Sequence, residues 1–508
     1  MPLPERDGAW VALPPNAHRT DERPNVILIC VDQWRGDCLS ILDHPDVQTP
    51  YLDQLAGCGA IATQAYSATP TCVPARMALM TGLTQETHRR VGYQDGVTFD
   101  VPLQETLPGA FREAGYQTQA IGKMHYWPER VRIGFDDVLL HDGYLHHSRG
   151  RTRDAAWFDD YLVWLRQQEG TSAVEDYIDN GIGCNSVVAR PWDKAESLHP
   201  TNWVISQAER WLYRRDPTVP FFLYLSFHRP HAPYDPPQWA YDRYSTKELR
   251  EPPVGDWEEE VLAGLERDWD PTSHVAHYRP RDVHQALAGY YGHMTHIDAQ
   301  ISRLMQVLGE FGQAENTYVA FVSDHGDMMG DHNLWRKGYP YEGSAHVPLL
   351  IAGPDVVPGT RIDEIVELRD VMPTLLGLAG VEIPDAVQGR DFSSLLRGQG
   401  SRPWRKYLHG EHHLFGQSIQ WIRADNLMYV WWSGSGREQL FDLNRDPQQL
   451  HDCIDDKEYQ DQHQCMRSYL IESLTQRPEG FVRGGDLVVG AQCSCVSEQA
   501  TSPHDNAR

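Results

Sequence analysis

The chain has 508 residues, of which 41% are hydrophobic and 23% charged, and its formal net charge is -26. This composition supports a substantial buried core and excludes an intrinsically disordered protein. The length allows one large domain and a smaller one. The strong negative charge argues against nucleic acid or an anionic membrane surface as the main partner. A small anionic substrate stays open, because a few local cations dominate the potential of a pocket.

Residues 1–24 contain acids and prolines without a long apolar run, and this composition is not typical of a signal peptide. The sequence has no run of about 18 apolar residues, the length that a spanning helix needs. Its nine cysteines are odd in number and widely spaced, which favours reduced thiols over a disulfide framework. We therefore expect a cytoplasmic protein without a membrane partner. Residues 1–24 are expected to form an N-terminal extension before the first domain.

Strands and helices alternate over most of the chain. Apolar runs predict strands at 25–31, 118–121, 220–227, 317–323 and 347–352, and helical patterns lie at 103–114, 201–213 and 284–308, with another helix beginning near Pro50. This alternation predicts an α/β fold, in which helices cover both faces of a mostly parallel sheet. Ligands of such sheets bind at the carboxyl ends of the strands. Residues 145–200 and 250–283 are irregular and are expected to shape a substrate pocket.

Beyond residue 400 the pattern changes. Short segments at 418–423, 427–432 and 439–443 are separated by turn residues and predict a small antiparallel sheet, followed by a helix at 459–475. We therefore expect a main domain over residues 25–400, a smaller C-terminal domain with this sheet over 401–496, and a polar tail over 497–508.

Two predicted strands end in residues that can bind a metal. Asp32 and Gln33 follow the first strand, and Asp324 and His325 follow a later one. Carboxylates and imidazole are suitable ligands for a divalent ion, and the imidazole favours a transition metal such as Mn²⁺ over Ca²⁺. The alternative is that the two aspartates cap helices or stabilise turns.

The segment Cys72-Val73-Pro74-Ala75-Arg76, followed by Thr81-Gly82, is the sharpest local pattern. Alone, it is also compatible with a buried structural thiol beside a surface arginine. The pattern resembles the C-x-P-x-R…T-G signature of type I sulfatases in the alkaline phosphatase superfamily. Ala75 stands where that family often has serine, although the position varies.

Other segments resemble motifs of the same family in the same order. They are Gly122-Lys123-Met124-His125, Pro230-His231-Ala232-Pro233 and Lys337 with Tyr341-Glu342, and Asp32, Gln33, Asp324 and His325 match the family's metal positions. The Asp-Gln and Asp-His pairs resemble the phosphonate monoester hydrolase and choline sulfatase branch. His346 departs from the family pattern, which often has arginine before Val-Pro.

The resemblance implies an alkaline-phosphatase-like fold, with residues 25–400 as the catalytic domain. It implies that a formylglycine-generating or sulfatase-maturating enzyme oxidises Cys72 to formylglycine, the nucleophile. One divalent ion, Ca²⁺ or Mn²⁺ with Mg²⁺ and Zn²⁺ as further alternatives, would be bound by Asp32, Gln33, modified Cys72, Asp324 and His325.

The resemblance also implies roles for the remaining residues. Lys123 and Lys337 would bind the oxygens of the transferred group, and His125 would contact the nucleophile. His231 would be the general acid, since the pKa of histidine lies near neutral pH; His228 is a weaker competitor. Arg76 would orient the nucleophile and neighbouring acids, whereas Tyr341 and Glu342 are interpreted as structural.

Three functions follow as hypotheses. The preferred one is hydrolysis of a small sulfate ester, such as that of a carbohydrate or another organic molecule. The first rival is hydrolysis of phosphonate monoesters or phosphodiesters by the same groups. The second rival is a catalytically silent binding protein in which Cys72 stays a thiol. The sequence leaves the substrate open, and it also leaves open whether the chain forms a homo-oligomer.

Overall fold

The computed structural model describes residues 22–143, 158–178, 181–399 and 404–497. The strands are β1 (Asn25–Asp32), β2 (Ala60–Ala62), β3 (Ala65–Tyr66), β4 (Gln117–Gly122), β5 (Asp137–Leu140), β6 (Phe221–Pro230), β7 (Thr317–Ser323), β8 (Leu349–Ala352), β9 (Thr360–Ile362), β10 (Val366–Glu367), β11 (Leu408–Leu414), β12 (Gln417–Ala424), β13 (Leu427–Trp432), β14 (Glu438–Asp442), β15 (Val482–Arg483) and β16 (Asp486–Leu487). The helices are α1 (Pro50–Cys58), α2 (Cys72–Thr81), α3 (Gln85–His88), α4 (Leu107–Glu113), α5 (Asp160–Glu169), α6 (Thr171–Ile178), α7 (Pro200–Arg214), α8 (Gln238–Ser245), α9 (Glu258–Leu262), α10 (Pro280–Glu310), α11 (Glu342–Ala345), α12 (Leu368–Ala379), α13 (Ser393–Leu396) and α14 (Gln460–Leu474).

The central sheet has eight strands in the order β5-β4-β6-β1-β7-β8-β2-β9. Neighbouring strands are parallel except at β8, which runs antiparallel to β7 and to β2. The mostly parallel sheet is therefore confirmed, and the predicted strands are β1, β4, β6, β7 and β8. Three strands of this sheet, β2, β5 and β9, were not predicted, because runs of three or four residues carry too little periodicity.

Helices bury both faces of the sheet. Alternate side chains of β1 enter opposite cores: Ile27 and Ile29 pack with α7 and α10 on one face, whereas Val26 and Leu28 pack with α2, α4 and α12 on the other. This arrangement explains the continuous apolar run of β1, since a strand buried on both faces needs no polar side. None of the described helices is long and apolar enough to cross a bilayer.

The C-terminal region forms the predicted antiparallel sheet, in the order β11-β12-β13-β14. One face packs through Trp421 and Val430 against Trp257 and Tyr341 of the main domain, and the other face packs against α14. β11 was not predicted, because its sequence LHGEHHL is mostly polar. Most of the predicted N-terminal extension, all of the tail beyond Ser497, and the predicted boundary at 400/401 lie outside the described residues, so these divisions stay predictions.

Candidate active site

Four adjacent strands deliver the predicted residues to one edge of the sheet. Strands β4, β6, β1 and β7 are neighbours, and each is followed or ended at its carboxyl end by polar groups. Val31 pairs with Ser323, so Asp32 and Asp324 lie side by side. The strand order thus places the candidate site at the edge where ligands of parallel sheets bind.

Lys123 owes its position to the residue before it. Gly122 has a φ of +104°, and a Cβ there would lie 1.9 Å from the carbonyl oxygen of Ser226. Only glycine permits this approach of β4 to β6. The bend directs the Lys123 ammonium against Asp32 Oδ2 in a fully buried ion pair, 3.7 Å from the Cys72 sulfur.

Cys72 is the first residue of α2, and its side chain is 2% exposed. Arg76 lies four residues later on the same helix face, where its guanidinium is fully buried. Arg76 Nε donates to Asp324 Oδ2 at 2.9 Å, and its Nη1 donates to Ser226 Oγ at 2.8 Å. The arginine is therefore no surface residue, and its hydrogen bonds connect Asp324 with α2; its expected orienting role stays a prediction.

The side chains of Asp32, Cys72, Asp324 and His325 converge. One ligand atom from each lies within 4.8 Å of the other three. His325 Nε2 is 3.2 Å from Cys72 Sγ, 3.4 Å from Asp32 Oδ1 and 3.6 Å from Asp324 Oδ1. Residues from three separated segments of the sequence thus meet around one point.

The donor set of this cluster fits a divalent cation. The outer carboxylate oxygens are engaged by cations, Asp32 Oδ2 by Lys123 and Asp324 Oδ2 by Arg76, so each Oδ1 faces the centre. The 2.8 Å contact of His325 Nδ1 with the Gly326 carbonyl requires a proton on Nδ1, which leaves the Nε2 lone pair directed inward. Outer hydrogen bonds of this kind orient the ligands of protein metal sites.

The electrostatics follow from burial and from neighbouring charges. Burial raises the pKa of Asp32, but the Lys123 ammonium and other nearby cations outweigh it and hold that pKa well below its usual value. Burial also opposes ionisation of the Cys72 thiol, yet the charges of Lys123 and Lys337 lower its pKa below that of a free cysteine. The site thus stabilises negative charge inside a strongly acidic protein.

Gln33 lies beside the cluster, but its side chain has other partners. Its Oε1 accepts from Lys337 Nζ at 2.5 Å, and its Nε2 donates to Asp327 Oδ2 at 2.5 Å. The backbone N–H of Gln33 donates to Asp324 Oδ1 at 3.1 Å. Its assignment as a metal ligand stays a prediction. Asp327 was not singled out from the sequence, although its position three residues after Asp324 could have indicated it.

His125 and His231 line the same cavity as Cys72, and the His228 ring lies 5.2 Å from that of His231. His231 directly follows β6, and its backbone N–H donates to the Asp32 carbonyl at 3.1 Å. Burial and the charge of Lys337 hold the pKa of His231 well below its usual value. The His125 side chain lies against Tyr93, with ring centroids 5.8 Å apart. His228, the weaker candidate, has its Nδ1 2.5 Å from Arg229 Nη1.

A cavity of about 300 Å³ opens onto these residues. Its walls include Cys72, His125, His231 and Lys337, together with Arg336, His274, His412 and Phe415, which were not predicted. His412 and Phe415 belong to the C-terminal sheet region, on β11 and the turn after it. Half of the residues that line this cavity are lysine, arginine or histidine, although the whole chain carries a charge of -26.

Tyr341 and Glu342 take part in packing, as interpreted. The Tyr341 hydroxyl donates to Gln439 Oε1 at 2.8 Å, and Glu342 Oε1 accepts from the Tyr66 hydroxyl at 2.9 Å. His346 Nδ1 lies 3.3 Å from Glu342 Oε2, so the histidine that departs from the family pattern is a direct neighbour of Glu342.

Residues 24–381 match the family model described as sulfatase, which covers more than half of the chain. The chain belongs to the sulfatase family. It is therefore a hydrolase of sulfuric esters within the alkaline phosphatase superfamily, as the motifs implied. Residues 330–476 also match a model described as the C-terminal region of N-sulphoglucosamine sulphohydrolase, which extends the similarity into the C-terminal sheet.

Known relatives and structures agree with this family. The sulfatase is 44% identical to an arylsulfatase of Clostridium perfringens, over 93% of this chain and 99% of the relative. It is 28% identical to a choline-sulfatase of Rhizobium meliloti, over 85% of this chain and 82% of the relative. A phosphonate monoester hydrolase of Agrobacterium radiobacter superposes with a TM-score of 0.74 at 26% identity, covering 89% of this chain and 96% of the other.

Proposed function

We propose that this sulfatase cleaves a small organic sulfate ester with an oxidised Cys72 as nucleophile beside one divalent metal ion. The observation that carries the proposal is the convergence of Cys72 Sγ with Asp32, Asp324 and His325 within 4.8 Å. An ordinary buried thiol requires no such surroundings, because a structural cysteine packs as a small apolar residue.

The metal ion and the oxidised Cys72 would supply complementary chemistry: the ion would add positive charge at the sulfate oxygens, and hydrated formylglycine at position 72 would provide the attacking hydroxyl. Ca²⁺ or Mn²⁺ fits the donor set, and the imidazole of His325 favours Mn²⁺.

The chain's own residues supply the remaining functions. Lys123 contacts Asp32 and Cys72, and Lys337 contacts Gln33 beside the cluster. Both would stabilise the negative oxygens of the transferred group, which is the main requirement of such transfers. His231 borders the cavity. Its lowered pKa disfavours the protonated ring, so it would donate a proton to the leaving oxygen once the negative charge of the bound ester raises that pKa. Arg76 contacts Asp324 rather than the cavity, so it acts as a positioning residue.

Hydrolysis of phosphonate monoesters is the second candidate. It is favoured by the similarity to a phosphonate monoester hydrolase at a TM-score of 0.74, because the same cations would stabilise a phosphorus centre. Membership of the sulfatase family argues against the third hypothesis, a silent binding protein.

The test uses protein produced together with a formylglycine-generating enzyme and reconstituted with Mn²⁺ or Ca²⁺. We expect the Cys72 peptide to lose about 18 Da, the mass change when SH and H are replaced by O, and 4-nitrophenyl sulfate to be hydrolysed faster than 4-nitrophenyl phenylphosphonate. Chelation should abolish turnover, and the ion should restore it. The reverse substrate preference would favour the phosphonate function.

A matched pair of cysteine variants completes the experiment. Cys72→Ala should abolish turnover, whereas Cys58→Ala, at an exposed position on α1, should leave turnover intact. Full activity with an unmodified Cys72 would refute the proposal. We also propose that the chain matures and acts in the cytoplasm, where the eight cysteines other than Cys72 would stay reduced.

A further inference from the structure

The cavity that reaches Cys72 is also lined by a second group of cationic and imidazole side chains. We call Arg336, His274 and His412 the outer subsite; all three line the cavity that reaches Cys72 and Lys337. None of them matches a family motif identified above. What they could bind depends on which of their polar atoms already have partners.

Arg336 has a guanidinium group that forms no ion pair with a carboxylate in the described part of the chain. Its Nη1 donates to the Thr272 carbonyl at 3.1 Å, and its Nε is buried without a hydrogen-bond partner. Burial lowers the pKa of Arg336, as expected of a desolvated charge. A partly buried cation of this kind loses hydration, and a bound anion would offset that cost.

The backbone of Arg336 is held in an unusual conformation. Its φ is +68°, a region that costs a non-glycine residue roughly 1 kcal/mol or more. The Arg336 N–H donates to Asp327 Oδ1 at 2.8 Å, and its carbonyl accepts from Met328 at 2.8 Å. These bonds maintain the conformation that brings the side chain to the cavity. Such local strain is often retained at binding sites.

The two histidines present unused polar atoms. Both ring nitrogens of His412 are buried without a hydrogen-bond partner among the described residues, as is His274 Nδ1. Burial and neighbouring cations lower the pKa of His412 to about 3, so the ring is neutral and carries one N–H donor. Burial, Arg336 and His412 likewise lower the pKa of His274. Positive charges of neighbouring groups therefore act on both histidines.

We infer that the substrate carries a second anionic group, a carboxylate or a further sulfate, and that the outer subsite binds it. This inference rests on the proposed function, because it assumes that the first sulfate lies at Cys72. An anion would neutralise Arg336 and accept hydrogen bonds from the histidines. Phe415 and Tyr93, which also line the cavity, offer apolar surface to the ring that joins the two anions.

The test measures binding without turnover. Cys72→Ala protein, loaded with Mn²⁺, is titrated calorimetrically with phenyl sulfate, 4-carboxyphenyl sulfate and 1,4-phenylene disulfate. Charge-assisted hydrogen bonds predict a Kd for a doubly anionic ester roughly tenfold to a hundredfold lower than for phenyl sulfate. The two doubly anionic esters distinguish carboxylate from sulfate. Equal affinity for all three esters would overturn the inference.

A pair of arginine variants locates the effect. Arg336→Gln, in the Cys72→Ala protein, should remove the tighter binding of doubly anionic esters, and Arg336→Lys should keep part of it. Arg361→Gln, on the exposed edge strand β9, should keep all of it. An unchanged preference in a folded Arg336→Gln protein would show that the outer subsite is not responsible.

Turnover by the mature wild-type enzyme separates this inference from the proposed function. Hydrolysis of all three esters at equal kcat/KM, with equal affinities, would leave the sulfatase activity standing and end the inference. A strong binding preference without hydrolysis of any sulfate ester would refute the proposed function and support the outer subsite.

Discussion

Replacing Arg76 should destabilise the protein strongly, because Arg76 and Asp324 form an ion pair in which both side chains are 0% exposed. Arg76→Met leaves the Asp324 carboxylate buried without its cation. Removing one partner of a buried pair costs about 3–5 kcal/mol, a large part of the roughly 5–15 kcal/mol that stabilises a typical domain. The variant also removes a donor from the Tyr224 hydroxyl and from Ser226 Oγ.

The assay is urea unfolding followed by pulse proteolysis. All proteins carry Cys72→Ala, so that maturation cannot differ between them, and are freed of metal by chelation. The double variant Arg76→Met/Asp324→Leu should recover most of the loss, because neither charge remains. Arg423→Met is the matched control: Arg423 is also buried, but it bonds to the Tyr66 hydroxyl at 3.0 Å and to no carboxylate of the described chain.

We expect the control to lose about 1–2 kcal/mol, the contribution of ordinary hydrogen bonds. The reasoning is refuted if Arg76→Met loses no more than this control. It is also refuted if the double variant is as unstable as the single one, since the loss would then not come from the unpaired carboxylate.

Two further predictions concern stability. Gly338 has a φ of +97° and a Cβ there would lie 2.9 Å from the His412 ring, so Gly338→Ala should lower the free energy of unfolding by about 1–3 kcal/mol. The control Gly359→Ala, at a φ of +72° in open space, should lower it by about 1 kcal/mol. Equal losses for the two variants in urea unfolding would contradict a steric clash with His412. Burial raises the pKa of Asp298 to about 7, so the native state holds a proton that the unfolded state releases near pH 4, and stability should fall as pH rises from about 4 to about 7. Between these pH values the melting temperature of Asp298→Asn should fall less than that of the wild type. If the two proteins give parallel curves of melting temperature against pH, the prediction is wrong.

The sequence predicted the central strands well because their signal is strong and local. The seven residues of β7 and most of β1 are continuous apolar runs, and long-range packing does not have to be known to recognise them. Helix α5 was missed in a segment interpreted as irregular. Its start is defined by Asp159, whose side chain accepts from the Leu162 N–H, and only Tyr161, Leu162 and Leu165 are buried, a stripe too short to stand out.

The sequence allowed us to predict those residues of the candidate site that lie at the ends of strands. Asp32, Asp324 and His325 follow strands, and the motif around Cys72 gave the fourth member of the cluster. Their catalytic and metal-binding roles stay predictions. The outer subsite could not be found in this way, because His412 reaches the cavity through the pairing of β11 with β12 and its contact with Gly338. These are tertiary relations between distant parts of the chain, which carry no local pattern.

Because β11 contributes to the cavity, the reactive groups and part of the cavity wall come from different parts of the chain. Groups that would perform the chemistry lie at the ends of β1, β4, β6 and β7, at the start of α2 and in the loop before α11, whereas part of the cavity wall comes from the C-terminal sheet. Substitutions around His412 and Phe415 can therefore alter which ester is accepted while the reactive groups stay in place. A fragment ending before Leu408 would retain those groups but lack that wall.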